Sequence, residues 1–281
     1  MMITCNLCGG LGNQLFQIFT TISYAIKSKH KFYFLDSETS PSITKRYTFW
    51  NSLLYKLKPF LVEAMVENSK IVKQADFTFN EIQISEFTDN NICLNGYFQS
   101  YKYFQFHYET ICRMLDIDKQ KKKILQLSNL DNDTISLHFR LGDYKALQGC
   151  YPIMTYEYYK KAISYIQHKD AAVVRSVFFF CEEEDIDTVM VTINLLINDF
   201  PNLFFIRASN ALTDWEQMLL MSCCKHNVIA NSSFSWWGAY FNSNPNKIVC
   251  YPATWFGPTI PESTKTYDLC PTEWNKVEVF F

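Results

Sequence analysis

Hydrophobic and polar positions along this chain alternate in a rhythm of short apolar runs and helical stripes. The run over 3–7 stops at Gly9, Gly10 and Gly12, and from Asn13 onward Leu15, Phe16, Phe19, Ile22 and Ile26 recur near 3.6-residue spacing. This predicts a strand, a glycine loop and a helix. Residues 31–35 predict a second strand, which completes the first half of a parallel-sheet unit. Between 37 and 91 the pattern is irregular, with a partly helical reading over 63–73. Residues 92–98 predict a strand and 103–115 a helix with an aromatic face.

Charge density rises over 119–133 (KQKKK, then NLDND), which marks a crossing between two lobes, 1–130 and 131–281. The second lobe repeats one α/β rhythm. Strands are expected at 134–139, 173–181, 203–207, 227–230 and 247–251, with helices at 155–167, 186–198, 213–224 and 235–241 between them. Such alternation predicts a doubly wound parallel sheet.

Composition narrows the function classes. With 281 residues and 48% hydrophobic positions the chain can fill real cores. Lysine and arginine against aspartate and glutamate give 26 − 28 = −2, without a long basic run. A nucleic-acid partner held by phosphate neutralisation is therefore not expected. No stretch has the apolar length of a membrane helix and the N-terminus lacks a signal-peptide pattern, so the expected location is cytoplasmic, with peripheral membrane contact at most. The ten scattered cysteines suit reduced thiols, and the lone Cys5-x-x-Cys8 pair reads as buried small hydrophobes rather than a metal site.

Ligands of open α/β sheets sit beyond the carboxyl ends of the strands, so residues just after each expected strand are the candidates. Four such edges stand out. The first is GGLGNQ, where three of only eight glycines fall within four positions, Gly10 lets a ligand approach the backbone, and a helix starts at Asn13. A plain tight turn is an equal reading there. The second is HFRLGDY. Period-two alternation sends His138 and Arg140 to one side, and a guanidinium at a strand end suits a phosphate; Asp143 can pair with it or accept a proton.

The third edge is CEEED, where Glu182 and Glu183 can accept from a base edge or ribose, or simply begin the next helix. The fourth is NSSFSWWG. Asn231, Ser232, Ser233 and Phe234 lead into a helix whose first N–H groups receive a cap or a phosphate, while the paired tryptophans read as packing. Three D-x-D triplets occur and only Asp185 with Asp187 lies at a strand end, which leaves a metal-dependent nucleotide-sugar site as a minor option. The absence of HExxH and GxSxG disfavours a zinc hydrolase and an α/β-hydrolase.

Together GGLGNQLFQ, NGYFQSYKYF, HFRLGDY and LMSCCKHNVIANSSFSWWGAYF resemble the α-1,2-fucosyltransferases of glycosyltransferase family 11. The resemblance runs from about residue 9 to about residue 242. It implies a GT-B-like α/β fold of two Rossmann-like lobes with parallel sheets, the N-terminal lobe binding acceptor and the C-terminal lobe binding GDP-L-fucose. The implied reaction moves L-fucose, with inversion, to the 2-hydroxyl of a terminal galactoside in a β-galactoside-terminated oligosaccharide. No metal and no cofactor beyond the donor substrate are implied.

Carried over by position, Arg140 neutralises the leaving phosphate, Asp143 is the candidate base, and His138, Asn13, Gly10, Asn231, Ser232, Ser233 and Phe234 line the donor site. Three departures accompany the match. Leu141 stands where a second arginine is usual, Glu182 and Glu183 replace aspartates near the guanine, and Gln217 replaces an aspartate. A non-catalytic protein that binds a nucleotide sugar or glycan is the alternative these changes leave open.

Overall fold

Parallel pairing organises both halves of the chain. The computed structural model describes residues 1–36, 46–84, 90–128, 130–131, 133–170, 174–261 and 264–278. Expectations over 37–45, 85–89 and 171–173 lie outside the described residues. The chain divides into one unit of residues 1–120 with 263–271 and a second of 121–262 with 272–281. The boundary thus falls at 120/121 rather than after 130, and a C-terminal segment returns to the first unit.

The first unit begins with β1 (Met2–Cys5), α1 (Leu11–Ser28), β2 (Lys31–Phe32) and β3 (Phe34–Leu35), followed by β4 (Leu61–Val62), β5 (Ser69–Lys73), β6 (Asn91–Asn95) and α2 (Tyr108–Met114). Its four-stranded sheet has the order β2-β1-β6-β5, all parallel, and β3 pairs with β4 in a separate ribbon. Almost every side chain of α1 is buried, which fits its apolar stripe and its place across this sheet. Gln17 closes the glycine loop, because its amide donates to Gly96 O at 2.9 Å and accepts from Cys8 N at 3.0 Å.

Several expectations here need correction. The 63–73 stretch is not helical; β5 is a half-exposed edge strand, as the β-branched pair Ile71-Val72 between lysines suits. The strand expected over 31–35 breaks at Tyr33 into β2 and β3, which belong to different sheets. The strand expected over 92–98 ends at Asn95, because Gly96 turns the chain where a Cβ would stand 2.4 Å from the Gln74 side chain. The expected 103–115 helix is a 3-10 turn over Tyr101–Tyr103, capped by Ser100, and then α2.

The charged stretch read as a crossing is α3 (Ile117–Leu127). Its buried stripe is Ile117, Gln120, Lys121 and Ile124, at i, i+3, i+4 and i+7. Two of the four are polar, so an apolar periodicity test passes over it.

The second unit continues through β7 (Thr134–His138), α4 (Tyr156–Lys169), β8 (Ser176–Phe180), α5 (Ile186–Asp199), β9 (Phe204–Arg207), α6 (Asp214–Met221), β10 (His226–Val228), α7 (Ser233–Tyr240), β11 (Val249–Pro252) and β12 (Asn275–Val277). The strand order is β12-β11-β10-β7-β8-β9, parallel throughout. In chain order this is the six-stranded Rossmann arrangement. β12 extends the sheet beyond the last expected strand. Tyr158, Tyr159, Ile163 and Ile166 of α4 and Val189, Ile193 and Leu196 of α5 pack on Ile135, Leu137, Val177 and Phe179 of the central strands. α7 lies so close to α6 that a Cβ on Gly238 would stand 2.9 Å from Met221.

A buried polar network joins β7, β10, α6 and α7. Asn227, fully buried, donates to Ser136 Oγ at 2.7 Å and Met221 O at 2.8 Å, and accepts from Asn242 at 2.7 Å. Replacement Asn227→Ala removes three buried hydrogen bonds, although Asn242 keeps its bond to Cys224 O, and should lower stability by about 2–4 kcal/mol. The measurement is a urea midpoint shift at unchanged m-value; a shift near zero would show that the network contributes nothing to stability.

Candidate active site

Chain order in the six-stranded sheet reverses between β7 and β10, since β8 and β9 follow on one side and β11 and β12 on the other. A crevice opens at the carboxyl ends of the strands at such a reversal. The register sets Leu137 beside Val228, so residues 139–144 and 231–234 leave neighbouring strand ends together. Two contacts join the neighbouring strand ends. Tyr144 donates its hydroxyl to Asn231 O at 3.1 Å, and the His138 ring lies 5.6 Å from that of Phe234.

Arg140 sits at the end of β7 with its side chain 20% exposed. Its guanidinium lies over the Tyr144 ring at 5.1 Å, donates from Nη2 to Asp143 Oδ1 at 2.5 Å, and donates from Nη1 to Glu182 Oε1. The loop that carries Asp143 is held from below. Gly142, at φ +42, donates its N–H to Asp185 Oδ2 at 2.8 Å, and Lys145 bonds Asp185 Oδ1 at 2.5 Å. Asp185 is buried, and both its oxygens are engaged by these donors. It is the anchor of the Arg140 loop and does not suit a D-x-D cation site with the exposed Asp187. Among the described residues no cluster of three or more His, Cys, Asp or Glu side chains is arranged for a metal.

On the β10 side, Ser232 caps α7 and its hydroxyl accepts from Phe234 N at 3.3 Å. The first turn of α7, which starts at Ser233, carries no acidic residue, so no carboxylate of its own neutralises the helix's positive end. Asn231 is buried; its amide nitrogen donates to Pro152 O at 3.0 Å and Trp255 O at 3.1 Å, while its Oδ1 has no hydrogen-bond partner among the described residues. Trp236 and Trp237 are fully buried and pack among Tyr240, Phe241 and Trp274, in agreement with a packing role.

Not every sequence candidate joins this group. Glu183 is held by Arg207 at 2.6 Å and Asn210 at 2.5 Å, and the arginine lowers its pKa. Gly10 and Asn13 belong to the first unit, at the start of α1, where Asn13 Oδ1 accepts from Gln99 at 2.8 Å. Leu141 is buried in the core beside Met154 and Tyr159, so the position of the missing second arginine faces the core in this chain. Gln217 donates to Leu212 O at 3.0 Å and supports its own helix start. Tyr144 closes the HFRLGDY motif and Asp185 is marked only as a D-x-D cation candidate, while Lys145 carries no separate signal; none of the three is legible in the sequence as a support of the Arg140 loop.

Comparisons with known proteins identify the family and the fold. The model of Glycosyl transferase family 11 matches residues 1–278. The chain is 29% identical to the O-antigen biosynthesis glycosyltransferase WbnK of Escherichia coli, with 91% of this chain and 95% of that protein covered. It is 25% identical to an alpha-1,2-colitosyltransferase of Escherichia coli, with 99% of each covered. Among solved structures it is similar to an Arabidopsis thaliana FUT1 mutant in complex with GDP, at TM-score 0.50 and 12% identity, over 94% of this chain and 72% of that one. It is also similar to the Escherichia coli ADP-heptose lps heptosyltransferase II, at TM-score 0.51 and 9% identity, over 100% of this chain and 91% of that one. The fold is the GT-B-like α/β arrangement with parallel sheets that the resemblance implies.

His138 gives the site a pH signature. Its side chain is almost fully buried, Nδ1 has no partner, and burial, aided by the Arg140 cation, pushes its pKa down to about 3. The unfolded chain therefore binds the extra proton between pH 6.5 and about 3, and stability present above that window falls as pH drops through it. From pH 7 to 4.5 the loss assignable to His138 is about 2–3 kcal/mol. Urea unfolding of wild type and His138→Gln at both pH values reads it as a smaller loss in the variant; parallel losses would reject a neutral buried imidazole.

Proposed function

Because the chain belongs to glycosyl transferase family 11, we propose that it is an inverting α-1,2-fucosyltransferase that moves L-fucose from GDP-L-fucose to the 2-hydroxyl of a terminal galactoside. We assign the donor to the six-stranded unit and the acceptor to the four-stranded one. The observation that carries the reading is the pairing of Arg140 with the acid-free start of α7, on the two sides of the strand-order reversal. A fork of N–H donors and a helix N-terminus are the groups that a diphosphate needs.

In the reaction the bond from the anomeric carbon to the β-phosphate oxygen breaks as the acceptor oxygen bonds the opposite face of the sugar. GDP takes the electron pair, and the acceptor proton passes to Asp143. Negative charge grows on the leaving phosphate in the transition state. Arg140 and the α7 amides act where that charge develops, so they lower the barrier more than they tighten the ground state. No metal is required in this scheme, since arginine and helix end supply the positive charge. The relatives leave the donor sugar to be tested directly. One is named for colitose, which is fucose without its 3-hydroxyl, and a GDP-colitose arm belongs beside GDP-L-fucose in the assay.

The test measures GDP release with donor and lactose. Arg140→Ala should lower turnover by about 100- to 1,000-fold while circular dichroism stays native, and Arg140→Lys should not restore it, because a point charge lacks the planar fork. EDTA should leave the rate nearly unchanged. Full activity in Arg140→Ala would overturn the assignment, and donor binding without release in the wild type would favour a binding protein.

A further inference from the structure

We propose that Glu182 is a built-in competitor for the donor's diphosphate, which holds Arg140 before the donor arrives and returns to it as GDP departs. The inference rests on the reading of Arg140 given above. A guanidinium recognises a phosphate best through two parallel N–H groups on one edge. In this structure Nη1 is bonded to Glu182 and Nη2 to Asp143. One N–H on each terminal nitrogen is thus taken, and withdrawal of one carboxylate frees that nitrogen for a diphosphate.

The surroundings show which one. Asp143 lies three residues from Arg140 on a loop fixed by Gly142 and Lys145 to the buried Asp185. Glu182 comes from a different loop, after β8; its side chain is 50% exposed against 47% for Asp143, so tethering and not exposure separates the two. Among the described residues, Arg140 is the sole hydrogen-bond partner of its carboxylate. It reaches the guanidinium over Gly142, where a Cβ would stand 2.9 Å from a carboxylate oxygen. Glu182 can thus swing into solvent without loss of any other bond.

Charge gives the exchange its consequence. Arg140, Asp143 and Glu182 sum to −1, so an approaching diphosphate meets net negative charge until Glu182 moves. GDP is more negative than the sugar-linked donor and would grip a bare arginine more tightly. A carboxylate poised to reclaim that arginine therefore weakens product binding.

The experiment is calorimetric titration of the full chain and its Glu182→Gln variant with GDP and, separately, inorganic pyrophosphate. Both ligands should bind the variant about 3- to 10-fold more tightly, the scale of a partly exposed ion pair, and the donor KM should fall without a rise in kcat. Unchanged or weaker binding of both ligands would overturn the inference. Weaker GDP binding with unchanged pyrophosphate binding would also overturn it and place Glu182 on the guanine instead. If the wild type binds neither ligand, the reading of Arg140 itself fails and this inference falls with it.

Discussion

The orientation of one short helix governs what the crevice can do, and it is set from the helix's far end. At the C-terminus of α7, Lys247 donates to Ala239 O at 3.0 Å and Asn242 O at 2.6 Å, while Lys121 donates to Phe241 O at 2.7 Å. Those carbonyls form the negative pole of the helix, where a cation is favourable. Both ammonium groups are withdrawn from water, and burial pushes the Lys247 pKa down to about 8. Carbonyl acceptors and the helix pole offset that desolvation. With its negative end tied to two lysines and its side tied to β10 through Asn242 and Asn227, α7 must aim its positive end past the carboxyl end of β10.

Arg140 obeys a complementary constraint. A guanidinium withdrawn from water requires counter-charge. Asp143 and Glu182 supply it from two loops, and Asp185 fixes the first of those loops from beneath. The D-x-D triplet at 185–187 therefore serves geometry: its buried member is a backbone and lysine acceptor, and its exposed member begins α5. The tether holds Arg140 in one orientation at the end of β7.

What the sequence discloses depends on how each element is stabilised. The strands and helices after 134 were legible because apolar runs and stripes dominate them, and HFRLGDY and NSSFSWWG stand out as polar text directly after apolar strands. The strand order, and hence the adjacency of the two motifs, needs the register of β7 with β10 and cannot be read from spacing. α3 escaped because Gln120 and Lys121 occupy its inward stripe. Gln120 donates to Leu53 O at 3.0 Å and Leu115 O at 2.8 Å, so the helix faces inward through hydrogen bonds as much as through hydrophobic contact. β12 and β5 are short and partly exposed edge strands, for which the pairing partner, and not the local pattern, decides the conformation. Glu182 was legible as a residue at a strand end, but its reach to Arg140 depends on the bare backbone of Gly142.

Helix starts show the same logic across the whole chain. Of the seven α-helices among the described residues, five carry an acidic residue in the first turn: Glu109 in α2, Asp118 in α3, Glu157 in α4, Asp187 in α5, and Asp214 with Glu216 in α6. Such residues complement the helix pole, and their use is the default. The two exceptions are α1, which follows the glycine loop, and α7, which follows the serine cluster. An acid at either place would occupy the positive pole and repel a phosphate. Both exceptions lie beyond the carboxyl end of a strand, where an α/β sheet receives its ligands. Both helices that forgo this local stabilisation are among the starts that the motifs mark, whereas the third such start, CEEED before α5, keeps its acids and uses them to hold Arg140, Arg207 and Lys145.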